Sequence, residues 1–136
     1  IKGTFRTMNE NWRETAKSGL KDVAKSIELK YGGKINLRIS HGYPFLKNDA
    51  ELTKKVRKLA CDILDESNVY NLELRMTAED FAFYSHIVPV CFFRIGVGNK
   101  SKGITNNVHH SRFDVDHNAM KTGLKLFYSI AFSLDS

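Results

Sequence analysis

Val90-Cys91-Phe92-Phe93-Arg94-Ile95-Gly96-Val97 is apolar at nearly every position, with Arg94 the one charged break. Bounded by Pro89 before it and Gly98-Asn99 after it, the run reads as a strand buried on both faces, as in the centre of an α/β sheet. The chain on either side fits that class. Leu72, Leu74 and Met76 suggest a shorter strand, after which Thr77 caps a brief helix through Tyr84 that must stop before Pro89. Leu52, Val56, Leu59 and Ile63 recur at helical spacing and place a helix from about Asn48-Asp49 to about Asp65. Ile35, Leu37 and Ile39 alternate with Lys34, Asn36 and Arg38, the sign of a strand with one wet face. Before them Trp12, Ala16, Leu20, Val23, Ile27 and Tyr31 mark a long amphipathic helix, opened by the capping-box pattern Thr7-x-x-Glu10 and ended by Gly32-Gly33. Lys2 to Thr7 reads as a first strand covered, with the strand at 34–40, by that helix. Downstream, Met120, Leu124, Phe127, Ala131 and Leu134 define a last helix that packs back on the sheet.

Length and composition narrow the classes. With 136 residues, 42% of them hydrophobic, the chain has enough apolar material for a core and is not a disordered segment. Cys61 and Cys91 lie far apart in apolar surroundings, which fits reduced thiols in a cytoplasmic protein rather than a disulfide framework. No apolar run approaches the ~20 residues needed to cross a bilayer. Ile1-Lys2-Gly3-Thr4 has neither an initiator Met nor a signal-peptide plan, so the start reads as a cut through a longer chain. A net charge of +6 raises nucleic acid as a partner. The basic cluster Lys54, Lys55, Arg57 and Lys58 sits on one helix with no aromatic or glycine-rich recognition motif among it, so a solvated polar face is expected instead.

The polar chemistry concentrates after the apolar run. Gly96, Gly98 and the polar stretch Asn99 to Asn107 lead into His109-His110, and open α/β sheets bind ligands in loops at the carboxyl ends of strands. Imidazoles are leading ligands of catalytic zinc, which needs about three protein donors and an open position. No Cys-x-His, His-x-Asp or Glu-Glu element precedes the histidines to complete such a set. Adjacent histidines point apart in an extended segment, so one of the two would reach a given ion and the other would be a loop residue bonded to backbone. Glu79-Asp80 heads a short helix, where the dipole favours acids with or without a site role. Gly96-x-Gly98 lacks the third glycine of a dinucleotide fingerprint and suits a tight turn that offers N–H groups to an anion.

Five motifs occur in order: Gly3-Thr4-Phe5-Arg6-Thr7; Gly42-Tyr43-Pro44 with Asn48; Met76-Thr77-Ala78-Glu79-Asp80-Phe81; Ile95-Gly96-Val97-Gly98; and Val108-His109-His110-Ser111-Arg112-Phe113. Together they closely resemble the C-terminal part of the amidohydrolase branch of metallopeptidase family twenty, which includes N-acyl-amino-acid amidohydrolases, hippurate hydrolases and plant auxin-conjugate hydrolases. The resemblance implies a catalytic α/β domain with two Zn or Mn ions, interrupted by a ferredoxin-like α+β lid domain that makes a homodimer. On that mapping residues 1–43 are the second half of the lid and residues 44–136 the C-terminal third of the catalytic domain. The resemblance selects His109 over His110 as a metal ligand. It places Glu79, Gly96, Gly98 and Arg6 among the substrate-binding residues, and Asp80 in the acidic pair with Glu79. Ser111 stands where many relatives have proline.

The other metal ligands and the general-base glutamate are expected upstream of Ile1. What the resemblance implies is therefore a C-terminal segment of an enzyme that cleaves the amide bond of N-acyl amino acids or small peptides with metal-activated water. The chain alone is expected to be inactive and to bind metal weakly or not at all. From another class comes the alternative of a non-catalytic association module, in which open strand edges recruit a partner.

Overall fold

Asp49 and Asn9 open the two long helices of the first half, each with its side chain turned onto the backbone. The computed structural model describes residues 1–134. Its elements are α1 (Glu10–Tyr31), α2 (Ala50–Leu64), α3 (Ala82–Ser85) and α4 (His117–Leu134), with 3-10 turns at Glu66–Asn68 and Lys100–Lys102. The chain divides into two compact units: Ile1–Asn48 with Leu72–Val90, and Asp49–Asn71 with the chain from Cys91 onward. No helix among the described residues is long and apolar enough to cross a membrane.

In the first unit α1 starts later than the capping box places it. Asn9, in extended backbone, accepts the Trp12 N–H on its side-chain oxygen (3.0 Å), while the Thr7 hydroxyl accepts only the Asn9 N–H (3.2 Å). Glu10, released from the reciprocal box bond, pairs with Arg13 (3.1 Å) and accepts the Phe45 N–H (3.1 Å). Arg13 also donates to the Tyr43 carbonyl (2.9 Å), so the first turn of α1 clasps residues 43–45. The helix ends as its glycines require: Gly32 takes a left-handed φ of 73° and returns its N–H to the Glu28 carbonyl. The expected stripe from Trp12 to Tyr31 forms, yet no residue of α1 is fully buried. Leu37 and Ile39 line a groove with Glu14, Lys17, Ser18 and Lys21, on a side of the helix away from that stripe.

The expected strands at Lys2–Thr7, 34–40, 72–76 and 90–97 do not pair. Among the described residues the single β-type contact is an isolated antiparallel bridge between Asn99 and Ile104. Alternation such as Ile35, Leu37, Ile39 encodes which face is to be covered, but a strand exists only when a neighbour supplies ladder hydrogen bonds. The helical part of the α/β expectation is thus present, and among the described residues no sheet forms.

The second unit holds most of the core. Asp49 caps α2 through the Leu52 N–H (2.8 Å), and α2 buries Val56 and Ala60 where it meets α4. Leu126, 4% exposed, is the buried anchor of α4. Each large aliphatic side chain so buried contributes roughly 1.5–3 kcal/mol. The face of α4 differs from the expected one: Met120, Leu124 and Phe127 are exposed and Ala131 is exposed with them, while Gly123 and Leu126 turn inward. Gly123 decides this, because a Cβ there would stand 2.9 Å from the Ile95 methyl, and the helix approaches the 90–97 segment on its glycine. The side chain of Leu134, the last residue of the expected stripe, lies outside the described residues. Thr77 does not cap a helix. The short helix is the single turn α3, entered by a turn in which Ala82 and Phe83 donate to the Glu79 and Asp80 carbonyls.

Candidate functional site

The chain leaves Val97 and reverses through Asn99–Ile104. Asn99 N–H donates to the Ile104 carbonyl (2.8 Å) and Ile104 N–H returns to the Asn99 carbonyl (2.9 Å). The Asn99 side chain accepts the Ser101 N–H and hydroxyl (3.1 and 2.7 Å), and Gly103 closes the reversal with a left-handed φ of 73°. The tight turn expected at Gly96-x-Gly98 therefore lies just beyond it. Gly98 abuts the Ile104 carbonyl, where a Cβ would be 3.4 Å away, and Gly96 is open to solvent.

Residues 105–115 then form an exposed loop. Asn106 ties its two limbs by donating its side-chain amide to the Arg112 carbonyl (2.9 Å). Two successive turns fill the middle, from the His110 N–H to the Asn107 carbonyl (3.2 Å) and from the Phe113 N–H to the His110 carbonyl (2.9 Å). His109 occupies the first turn with a φ of 70°, one of two non-glycine residues with positive φ among those described. A left-handed conformation costs a residue with a Cβ roughly 1–2 kcal/mol, and histidine is one of the types that tolerate it.

The two histidines differ in what their rings do. His110 Nδ1 accepts the Arg112 N–H (3.1 Å), which spends that nitrogen on the loop and leaves the proton of the neutral ring on Nε2. His109 is exposed, and its ring makes no hydrogen bond within the described residues.

Asp116 closes the loop on its C-terminal side. Its N–H donates to the Val97 carbonyl (2.9 Å), and one carboxylate oxygen accepts the Lys102 ammonium (2.7 Å) and the Asn118 N–H (3.2 Å). The other oxygen accepts the Asn99 side-chain amide. The bond from Asn99, then those from Lys102 and Asn118, hold the carboxyl below its ordinary 3.8, at about 2. Sequence reasoning missed this residue. An aspartate directly before an apolar-periodic helix was the available signal, since that is where helix caps sit.

Arg6 and Glu79 belong to the first unit, and Gly96, Gly98 and His109 to the second. Arg6 donates to the Met76 carbonyl (2.8 Å) at a shallow cleft that it lines with Phe5, Trp12 and Met76, where Phe5 stacks on Trp12 with ring centres 5.3 Å apart. Glu79 is half-buried and among the described residues accepts the Phe81 N–H, at 3.4 Å, while its neighbour Asp80 is exposed. Among the described residues no three His, Cys, Asp or Glu side chains stand close enough to share an ion. The donors among the described residues do not by themselves fit a metal centre.

Residues 7–133 match the family described as Peptidase family M20/M25/M40. The chain belongs to this family. Among its relatives, a thermostable carboxypeptidase of Saccharolobus solfataricus is 32% identical over 124 residues, covering 90% of this chain and 31% of the relative. An IAA-amino acid hydrolase of Arabidopsis thaliana is 32% identical over 133 residues, 95% of this chain and 29% of the relative. An N-acetyldiaminopimelate deacetylase of Exiguobacterium sibiricum is 29% identical over 104 residues, 76% of this chain and 27% of the relative. The chain thus spans under a third of the length of these family members. No solved structure matches it.

Proposed function

We propose that the chain is the C-terminal segment of a metal-dependent amidohydrolase that cleaves the amide bond of N-acyl amino acids or small peptides. Membership of the peptidase family supports the hydrolase class, and relatives named carboxypeptidase, amino-acid hydrolase and deacetylase all act on amide or peptide bonds by name. On this reading residues 1–43 belong to a lid that dimerises and residues 44–136 to the catalytic domain of a cytoplasmic enzyme.

One observation carries the assignment of His109. Its ring is exposed and unspent on a turn whose backbone is strained, whereas the neighbouring ring of His110 is consumed by the loop. Strained backbone persists where surrounding structure enforces it, and it concentrates at functional positions. His109 supplies one imidazole nitrogen to a divalent ion, with two Zn or Mn ions in the whole enzyme. Arg6, Glu79, Gly96 and Gly98 are assigned to the substrate side. The remaining donors and the general base are assigned to residues outside Ile1–Ser136. The isolated chain is expected to be inactive.

The test uses the full-length enzyme, an N-acyl amino acid and metal analysis of the purified protein. His109→Ala should lower kcat/KM by at least about a hundredfold and deplete bound metal, while His110→Ala keeps most of both. Wild-type turnover and metal content in His109→Ala would overturn the assignment. A second reading, a non-catalytic association module, is favoured by the exposure of Leu20, Val23 and Ile27 on α1.

A further inference from the structure

We propose that Lys17 and His41 form an acid-released latch, which holds the chain just before Gly42-Tyr43-Pro44 against α1 near neutral pH and lets it go when the His41 ring takes up a proton. The latch lies wholly within the first unit and stands apart from the assignment of His109.

One side of α1 carries three side chains that grip residues 41–45. Glu10 accepts the Phe45 N–H (3.1 Å), Arg13 donates to the Tyr43 carbonyl (2.9 Å) and Lys17 donates to His41 Nδ1 (2.7 Å). Helix positions three and four apart stand one above another, so 45, 43 and 41 are taken in reverse order and the stretch runs antiparallel to α1. The first two rungs join groups that keep their charge between pH 5 and 8, and an imidazole does not. An ammonium has three donors and no acceptor. At the third rung Nδ1 therefore supplies the lone pair, and the proton of the neutral ring stands on Nε2.

Lys17 is fixed for this contact. Its side chain is 20% exposed, and it bonds Glu14 (2.6 Å) as well as His41. That bond first, and the charges of Lys17, His41 and Arg13 after it, hold the Glu14 carboxyl below its ordinary 4.5 against some desolvation. Glu14 thus stays ionised, and keeps the ammonium at the rung, through the range in which imidazoles titrate.

His41 is exposed, so protons reach it. Protonation puts an N–H where the lone pair was: donor then faces donor and cation faces cation. Arg13 and Lys21 add positive charge on α1 beside Glu14 and Lys17, and Arg38 adds it on the segment that leads into His41. A turn of the imidazolium toward Glu14, the carboxylate beside the pair, breaks the Lys17 rung as well. His86 answers acid differently. Its Nε2 meets the Phe45 carbonyl (2.9 Å), which only accepts, so that ring donates whether neutral or protonated. Acid therefore frees the end at residue 41 and leaves the end at residue 45 fastened.

Hydrogen exchange of the full-length protein at about pH 7.5 and about pH 5.5, followed in peptides covering residues 39–46 and divided by intrinsic exchange rates, tests this with Lys17→Met and His41→Asn. From the higher pH to the lower the wild type should lose about two- to tenfold in protection, the span of one hydrogen bond. Lys17→Met lacks the donor and should be weakly protected at both. His41→Asn sets an amide oxygen where Nδ1 stood, takes up no proton, and should stay protected at both. Equal protection of the wild type at the two pH values overturns the inference, as does wild-type behaviour in Lys17→Met. If Lys17→Met fails to fold, His41→Asn decides alone: constant protection supports the latch, and a fall as large as that of the wild type overturns it.

Discussion

At position 109 two demands compete. The φ of 70° would suit glycine better than any residue with a side chain, and the role proposed for the imidazole gives a reason for a side chain there. His109→Gly should therefore raise the stability of the chain by up to about 1 kcal/mol in a thermal melt. A lower melting temperature would show that the ring packs where it gives real support. Asp116 makes the opposite case, a side chain whose charge stabilises the fold. Its carboxyl titrates at about 2 in the folded chain against an ordinary 3.8, so the folded state favours the ionised form. The stabilisation is complete above 3.8 and is lost as pH falls from there through about 2. Melting temperatures recorded across that window should fall less steeply for Asp116→Asn than for the wild type, and parallel curves would contradict the assignment. The polar loop that carries His109 was legible in the sequence because its residues are contiguous. The work of Asp116 was not, since its partners Asn99 and Lys102 are 17 and 14 residues away and only the folded loop brings them together.

Helices and strands differ in how far their causes reach along the chain. The bounds of α2 follow from Asp49 and from apolar residues three and four apart, all within one stretch, and the sequence reading matched them to a residue or so. Asp49→Ala should cost about 1 kcal/mol, read as a shift in the denaturant midpoint with an unchanged slope. No shift would mean that the Leu52 N–H finds water at no loss. The start of α1 was displaced because Thr7 and Asn9 both satisfy the local cap preference, and the choice between them lies in Arg13 and Glu10 turning to residues 43–45. On α4 two apolar faces were available, and the smaller residues won: Gly123 permits an approach to Ile95 that a face led by Leu124 does not. Strands were the least legible elements, since period-two patterning specifies a face and leaves the partner open.

At the scale of the molecule the apolar surface is large. Trp12, Leu20, Val23 and Ile27 on α1, and Met120, Leu124, Phe127 and Phe132 on α4, remain accessible to solvent. Exposed apolar area of this extent marks association surfaces or aggregation liabilities. The 136-residue chain should bind a hydrophobic dye and scatter light as more than a monomer at high concentration; a monomer that leaves the dye dark would count against both the association reading and the accessibility of these faces. The clasp at the start of α1 bears on how the first unit moves. Gly42-Tyr43-Pro44 has the composition of a swivel, yet the Tyr43 carbonyl is held by Arg13, the Phe45 N–H by Glu10 and the Phe45 carbonyl by His86. A torque applied to the long helix is therefore passed on through this stretch to the turn that bears His86, and the three travel as one lever.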